Sequence, residues 1–491
     1  KYRISLLTFL FSVYSVHSER TVFAQNKHQL IPNSSIFPFI VSFIPMSQAQ
    51  NPTDSQEKLP RNLGLWGIWM LVVNGLIGAG IFGLPSGAAA LAGEYSVLIY
   101  GFCALLILPV ILCFAELGSY FRGTGGPIRY GTLAFGPFIG FQGGWLYYLA
   151  RLISFSANTV LLTDSIAYFL PAAGESTGRL IALAVICISL SLINVLGSVE
   201  SIRSMTVFTV IKFAVLILLP VGGFILLGGD VIPRFDTPIP PLSDLGSAAL
   251  LLIYAFVGFE GAVVPAGEAK RPERDMPLGL LLGLGIVTAL YMLIQVVSQA
   301  AIPNIGASKT PLLDVSAFLF GGPGAVILMI GVAASVLANL ISSMFSATRI
   351  TYALSLERSL PSWFGEVHPK FITPANSVIF FGISAFLLSA FGSFTVLAAM
   401  TVLSRLFLYI MSCAAIPKLR PQFRGQGKFI LPGGYLIPIL GVLACLWLML
   451  QVSEQSIWMT ALFIGIGTGL YWAGRMQSSW KTGDGSRKLD E

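Results

Sequence analysis

Charge is what this sequence has least of. Asp, Glu, Lys and Arg make up 10% of its 491 residues, against about 25% in soluble domains. A further 55% are hydrophobic. That balance excludes a chain folded in water, and makes the lipid bilayer its first partner. Histidine occurs three times, too few and too scattered for a metal site. The five cysteines, Cys103, Cys113, Cys187, Cys413 and Cys445, all fall in apolar runs. Their spacing suits neither a ligand set nor paired bridges, so they read as helix-packing residues. No phosphate-binding glycine loop is present, which removes nucleotide hydrolysis as an energy source. No catalytic constellation or cofactor motif is visible, so no enzyme and no cofactor is expected. No basic run is long enough for nucleic acid. The net charge of +7 therefore reads as loops facing anionic lipid.

What is present is a series of continuous apolar runs. Alternation is lacking, so helices rather than a barrel are expected to span the membrane. Twelve spans are predicted, at 64–92, 95–117, 134–163, 178–197, 204–228, 243–267, 278–302, 323–355, 376–391, 394–415, 432–452 and 456–475. Alternate loops carry twelve basic residues: Arg122, Arg129, Arg203, Lys270, Arg271, Arg274, Arg358, Lys370, Lys418, Arg420, Arg424 and Lys428. The opposite loops carry three, Arg179, Arg234 and Lys309. The positive-inside rule then places both termini in the cytoplasm of a multi-pass protein of the plasma (inner) membrane. Residues 1–62 form an N-terminal tail, of which 1–45 read as an upstream extension or disordered segment. The apolar run 6–16 behind Lys1 and Arg3 also admits a cleaved signal peptide. Residues 476–491 read as a cytoplasmic tail.

Two stretches break the pattern of uninterrupted helices. Between Arg61 and Glu94 there is no charge, yet glycines stand at 75, 78, 80 and 83 and a proline at 85. Both residue types weaken a helix. Broken backbone at membrane depth is tolerated where it is buried or lines a cavity. Five spans later, Gly258-Phe259-Glu260-Gly261 interrupts a second apolar run. Matching breaks in two halves point to an inverted repeat with a transport site between them. The expected layout is repeat one at 63–228, repeat two at 243–415, and two extra helices at 432–475. Glycine for close helix packing is the plainer alternative.

At the first break, free N–H groups of Ile77, Gly78, Ala79, Gly80 and Ile81 would favour an anion such as a substrate carboxylate. At the second, carbonyls around Ala255, Phe256, Val257 and Gly258 could receive an ammonium. A zwitterion then fits with no charged side chain required. Tyr254 and Phe256 could lid the site, or simply pack.

Several motifs resemble the amino acid permeases of the amino acid–polyamine–organocation superfamily. Gly78-Ala79-Gly80-Ile81-Phe82 is similar to that family's first-helix signature. Tyr254 to Glu260 and the following 267–277 resemble its sixth helix and tail. Ser346-Ala347-Thr348-Arg349 to Leu360-Pro361 resembles the end of the eighth, and Phe114-Ala115-Glu116-Leu117-Gly118 with Gly125, Gly126 and Tyr130 the second. The likeness covers roughly 62–475. Arg122-Gly123-Thr124, where the family often has a proline, and Arg129 depart from it. The resemblance implies an all-α leucine-transporter-like fold with helices 1 and 6 broken, and an α-amino acid as substrate. It also implies that Tyr254 is a gating aromatic.

By the same resemblance, Lys212 matches a lysine whose ammonium replaces the sodium ion of related carriers. Its expected partners are carbonyls near Gly75 to Gly78 and the hydroxyls of Ser342, Ser343 or Ser346. It either carries a proton through the cycle or fixes two helices together. Glu260 either senses protons or holds the broken helix. Arg151, on one helical face with Ser154 and Asn158, is a pathway charge that binds an acidic side chain or pairs with Asp164 or Glu260. Arg405 is expected to snorkel toward an aqueous end, and Glu116 to anchor a loop. The function that follows is secondary transport of amino acids by alternating access, proton-coupled and sodium-independent. Exchange, and a receptor-like nutrient sensor on the same fold, are the alternatives. The amino acid and the oligomeric state are not legible.

Overall fold

The computed structural model describes residues 63–487, except 121–125, 197–201, 264–265, 267–268, 372 and 424–428. The tail 1–62, the Arg122-Gly123-Thr124 departure, Gly267, Glu268, Arg424, Lys428 and residues 488–491 lie outside the described residues. Among those described, the regular elements are helices, beside one isolated parallel bridge between Leu63 and Ala269. Among the described residues, nine helical segments are long and apolar enough to cross a bilayer, and three shorter apolar helices accompany them. This is a multi-pass membrane protein.

The first predicted span is two helices, α1 (Leu65–Leu76) and α2 (Gly80–Ala92). The gap between them is narrower than the glycines suggested. Phe82 N–H already bonds Ala79 O at 3.0 Å, so helix resumes at Gly80 and not beyond Phe82. Burial of Ile81, Phe82 and Leu84 offsets the roughly 1 kcal/mol that a helical glycine costs. Next come α3 (Ser96–Tyr120), α4 (Gly126–Phe135) and α5 (Pro137–Phe169). The predicted third span started three residues early. Gly136 has φ +92° and turns the chain, and Pro137 starts the helix where its missing N–H costs nothing.

Helices α6 (Ser176–Val195) and α7 (Ile202–Leu227) follow. The second broken span is α8 (Leu242–Ile253), a 3-10 turn (Tyr254–Phe256), and the short α9 (Glu260–Val263). Then come α10 (Pro272–Ala301), α11 (Pro311–Leu356) with a kink at Gly321, α12 (Ala375–Phe391) and α13 (Phe394–Phe423). Helices α14 (Leu436–Met449) and α15 (Glu454–Arg487) complete the order.

Small residues let these helices approach closely. On α10, a Cβ at Gly279 would fall 2.7 Å from Ile68 Cγ2, and one at Gly283 2.5 Å from Val72 Cγ1. Two glycines four apart thus seat α1 directly on α10, the small-residue packing of membrane helices. On the outside, Ile225 is 75% and Phe391 89% exposed, a pattern that hydrocarbon tolerates and water does not. Helix α5 lies against both α11 and α13. It carries the polar face that the site is built on.

Candidate functional site: a cavity between two helix breaks

The breaks meet at their glycines. Val257 is extended and Gly258 takes φ +112°, a conformation that a side chain resists. A Cβ on Gly258 would fall 2.3 Å from Gly75 O, and one on Gly75 2.5 Å from Gly258 O. Backbone therefore crosses backbone here, with no room for a methyl group on either side.

Beside the crossing lies a cavity of about 310 Å3, in the range of small-molecule sites. Helix α1 and the gap after it contribute Asn74, Gly78, Ala79 and Gly80. Helix α5 contributes Tyr147, Arg151, Ser154 and Asn158, and the second break Tyr254, Val257, Gly258 and Gly261. Helix α11 adds Asn339, Ser342, Ser343 and Ser346, and α13 adds Arg405.

The first break sorts its polar groups by side. Its carbonyls are taken from behind. Lys212 Nζ on α7 donates to Asn74 Oδ1 at 2.6 Å and to Ile77 O at 2.8 Å, with Asn74 O at 3.4 Å. Tyr291 Oη on α10 donates to Leu76 O at 2.9 Å. Two N–H groups are also used internally, Ile77 to Val73 O and Gly78 to Leu76 O. Those of Ala79, Gly80 and Ile81 have no backbone acceptor among the described residues. The second break is its complement. The carbonyls of Ala255, Phe256 and Val257 receive no backbone hydrogen bond there.

Polar side chains join the two walls. Tyr254 Oη donates to Asn158 Oδ1 at 3.1 Å and lies 3.2 Å from Ser154 Oγ. Asn158 Nδ2 donates to Asn339 Oδ1 at 3.0 Å. Ser343 Oγ also bonds Asn339 Oδ1, at 3.3 Å, and Ser346 Oγ bonds Ser343 O at 3.2 Å. Tyr254 packs edge-on against Phe394, ring centroids 5.9 Å apart.

A second cluster holds the short α9. Glu260 accepts from Arg405 Nε at 2.8 Å, Tyr409 Oη at 3.1 Å and the Gly258 N–H at 2.9 Å. A fully buried carboxylate is stable only with such partners. Near the ends of α3 and α13, Glu116 pairs twice with Arg420, Nε to Oε1 and Nη2 to Oε2, both at 2.7 Å. It also accepts the Leu431 N–H at 3.0 Å, which ties that loop down.

The sequence profile of amino acid permeases matches residues 63–470. The chain belongs to that family. This permease is 27% identical to a methylthioribose transporter of Bacillus subtilis, over 84% of its length and 93% of the relative's. It is 27% identical to the branched-chain amino acid permease BcaP of the same species, over 85% and 94%. The serine/threonine exchanger SteT, also of Bacillus subtilis, is 26% identical over 78% and 89%.

Of the residues singled out by sequence, Gly78, Ala79, Gly80, Tyr254, Gly258, Ser343, Ser346 and Arg151 line the permease's cavity, whereas Ile77, Ile81, Ala255 and Phe256 do not. Phe256 is fully buried against Tyr100 and Tyr291, so it packs and does not lid the cavity. Lys212 is 3% exposed and sits behind the break. Its carbonyl partner was expected, but its second partner is the Asn74 side chain and not a serine hydroxyl; Ser343 and Ser346 bond within α11. Arg405 does not snorkel; it is buried on Glu260. Arg151 has neither expected partner. Asp164 pairs with Arg179, and Glu260 pairs with Arg405. Asn74 and Asn339 were missed. Each carried a signal: Asn74 is a polar residue in the charge-free run of the first break, and Asn339 lies one helical turn before Ser343.

Proposed function

We propose that this permease moves α-amino acids across the plasma membrane by alternating access, as a sodium-independent, proton-coupled carrier. The observation that carries the reading is the complementarity of the two breaks. The unbonded N–H groups of Ala79 and Gly80 suit a carboxylate and the open Val257 carbonyl suits an ammonium, and all three residues line one cavity. Lys212 supports sodium independence, since its ammonium occupies the Asn74 and Ile77 oxygens that a cation would otherwise take.

In this reading the chain has twelve spans, with repeats 63–228 and 243–415 and two added helices at 432–475. Its tails, 1–62 and 476–491, lie in the cytoplasm. Glu260 holds the broken helix, Tyr254 gates the cavity, and Ser343 and Ser346 line the path. Exchange is the second reading, because SteT, a relative of similar coverage, is named an exchanger.

Uptake of labelled amino acids into sodium-free proteoliposomes tests both. Accumulation driven by a pH gradient in empty vesicles supports symport. Uptake only into vesicles preloaded with amino acid supports exchange. Saturable binding without any uptake would make the protein a sensor and overturn transport.

A further inference from the structure

We infer that this permease selects amino acids with an anionic side chain, and that Arg151 is the residue that reads the charge. The inference rests on the amino acid reading above and names its substrate class.

Charge at the cavity is unbalanced. Among the described residues two guanidiniums line it, Arg151 and Arg405, and no carboxylate does. The facing acid is Glu260, and it is already committed to Arg405, Tyr409 and the Gly258 N–H. Tyr147 also stands at Arg151 and accepts a hydrogen bond from its Nη2 at 2.6 Å. Arg151 Nε is buried and has no partner among the described residues. A guanidinium presents five donors in a fixed fork made for a carboxylate. Half-buried in the cavity wall and without a paired carboxylate among the described residues, this fork suits an anion that arrives from the cavity.

Placement supports a side-chain contact. The zwitterionic ends have their own complements at the two breaks. Asn158, bonded to Tyr254 at the breaks, lies seven residues from Arg151 on the same helix, about 10 Å along its axis. Arg151 reaches back over Gly261, where a Cβ would fall 3.3 Å from Nη2. Glycine there leaves the guanidinium open to the cavity. A substrate anchored at the breaks thus extends toward Arg151, which would meet a carboxylate at its far end.

The test is competitive uptake in sodium-free proteoliposomes with L-glutamate, L-aspartate, L-glutamine, L-leucine and L-lysine, in chloride and in gluconate buffers. Glutamate is expected to exceed glutamine by at least about tenfold, the ratio that one charge-assisted hydrogen bond supports. In Arg151→Gln that preference should vanish or invert, and Arg151→Lys should restore part of it. Thermal stabilisation of the detergent-solubilised protein by glutamate but not glutamine gives the same readout if a variant does not transport. Preferred uptake of leucine, glutamine or lysine overturns the inference and leaves amino acid transport standing. So does neutral uptake that requires chloride, which would make inorganic chloride the occupant of Arg151. Absence of any amino acid uptake or stabilisation, preloaded vesicles included, overturns both.

Discussion

Gly75 and Gly258 touch through their backbones, each blocking the space where the other's side chain would begin. The two broken helices therefore cross backbone on backbone here, and the crossing limits how far apart the cavity walls stand. Gly75→Ala and Gly258→Ala should each force the breaks apart. Overlap of this kind costs about 1–3 kcal/mol, and the positive φ at Gly258 adds to it. Uptake should fall by at least about tenfold in either variant, with lower melting temperature in detergent. Wild-type uptake by Gly258→Ala would show that the crossing does not set the site.

Lys212 and Asn74 make the second testable pair. Lys212→Ala leaves the buried Ile77 carbonyl without its donor, at about 1–3 kcal/mol, and leaves Asn74 Oδ1 with only the longer bond from Thr209. Loss of sodium-free uptake, or a changed pH profile, is expected. If rate and pH profile stay as in the wild type, the lysine has no part in coupling.

Glu260 and Arg405 should behave as a unit. Removing one member of a buried ion pair costs about 3–5 kcal/mol, so Glu260→Gln and Arg405→Gln should each lower the melting temperature strongly. The double variant should lose less than the sum of the two. Additive losses in thermal unfolding would mean that the pair is not coupled.

At the ends of α3 and α13, Arg420 grips Glu116 with two parallel bonds, both 2.7 Å. Lysine keeps the charge but not the fork. Arg420→Lys should therefore destabilise the permease by about 1–3 kcal/mol, read as earlier proteolysis in the connection between α13 and α14 that holds Leu431. Unchanged protease resistance would assign the anchoring elsewhere.

Tyr254→Phe removes one hydroxyl and keeps the ring on Phe394. The bonds to Asn158 and Ser154 are worth about 0.5–1.5 kcal/mol each, so KM should rise several-fold while expression is unchanged. Tyr254→Ala, which also loses the ring contact, should cost more.

Local features of this fold were open to reading from sequence, and pairings were not. Glycines at 75, 78 and 80 and the Gly258-Phe259-Glu260-Gly261 stretch marked both breaks, because helix propensity is a property of the chain nearby. The extent of the first break was misjudged because Ile81, Phe82 and Leu84 are buried by distant partners, which local propensity does not see. Charged residues in apolar runs were equally visible, yet partner choice depends on helices far apart in sequence. Glu260 lies 145 residues from Arg405, and Glu116 lies 304 from Arg420. Both carboxylates found arginines on α13, which left Arg151 without a paired carboxylate among the described residues. Asn74 was overlooked for the opposite reason: an uncharged amide does not stand out until Lys212 is found against it.

The bond from Lys270 N–H to Leu63 O, 2.8 Å long, lies beside the Leu63–Ala269 bridge. It fastens the entry to α1 to the segment between α9 and α10. Because it is drawn wholly between main-chain atoms, it does not depend on which residues occupy 63 and 270. Side chains at both places are free to drift, and proline at 270 is the substitution that would cut it. The linkage between the two half-helices is in this sense a hinge pin that mutation can rarely reach.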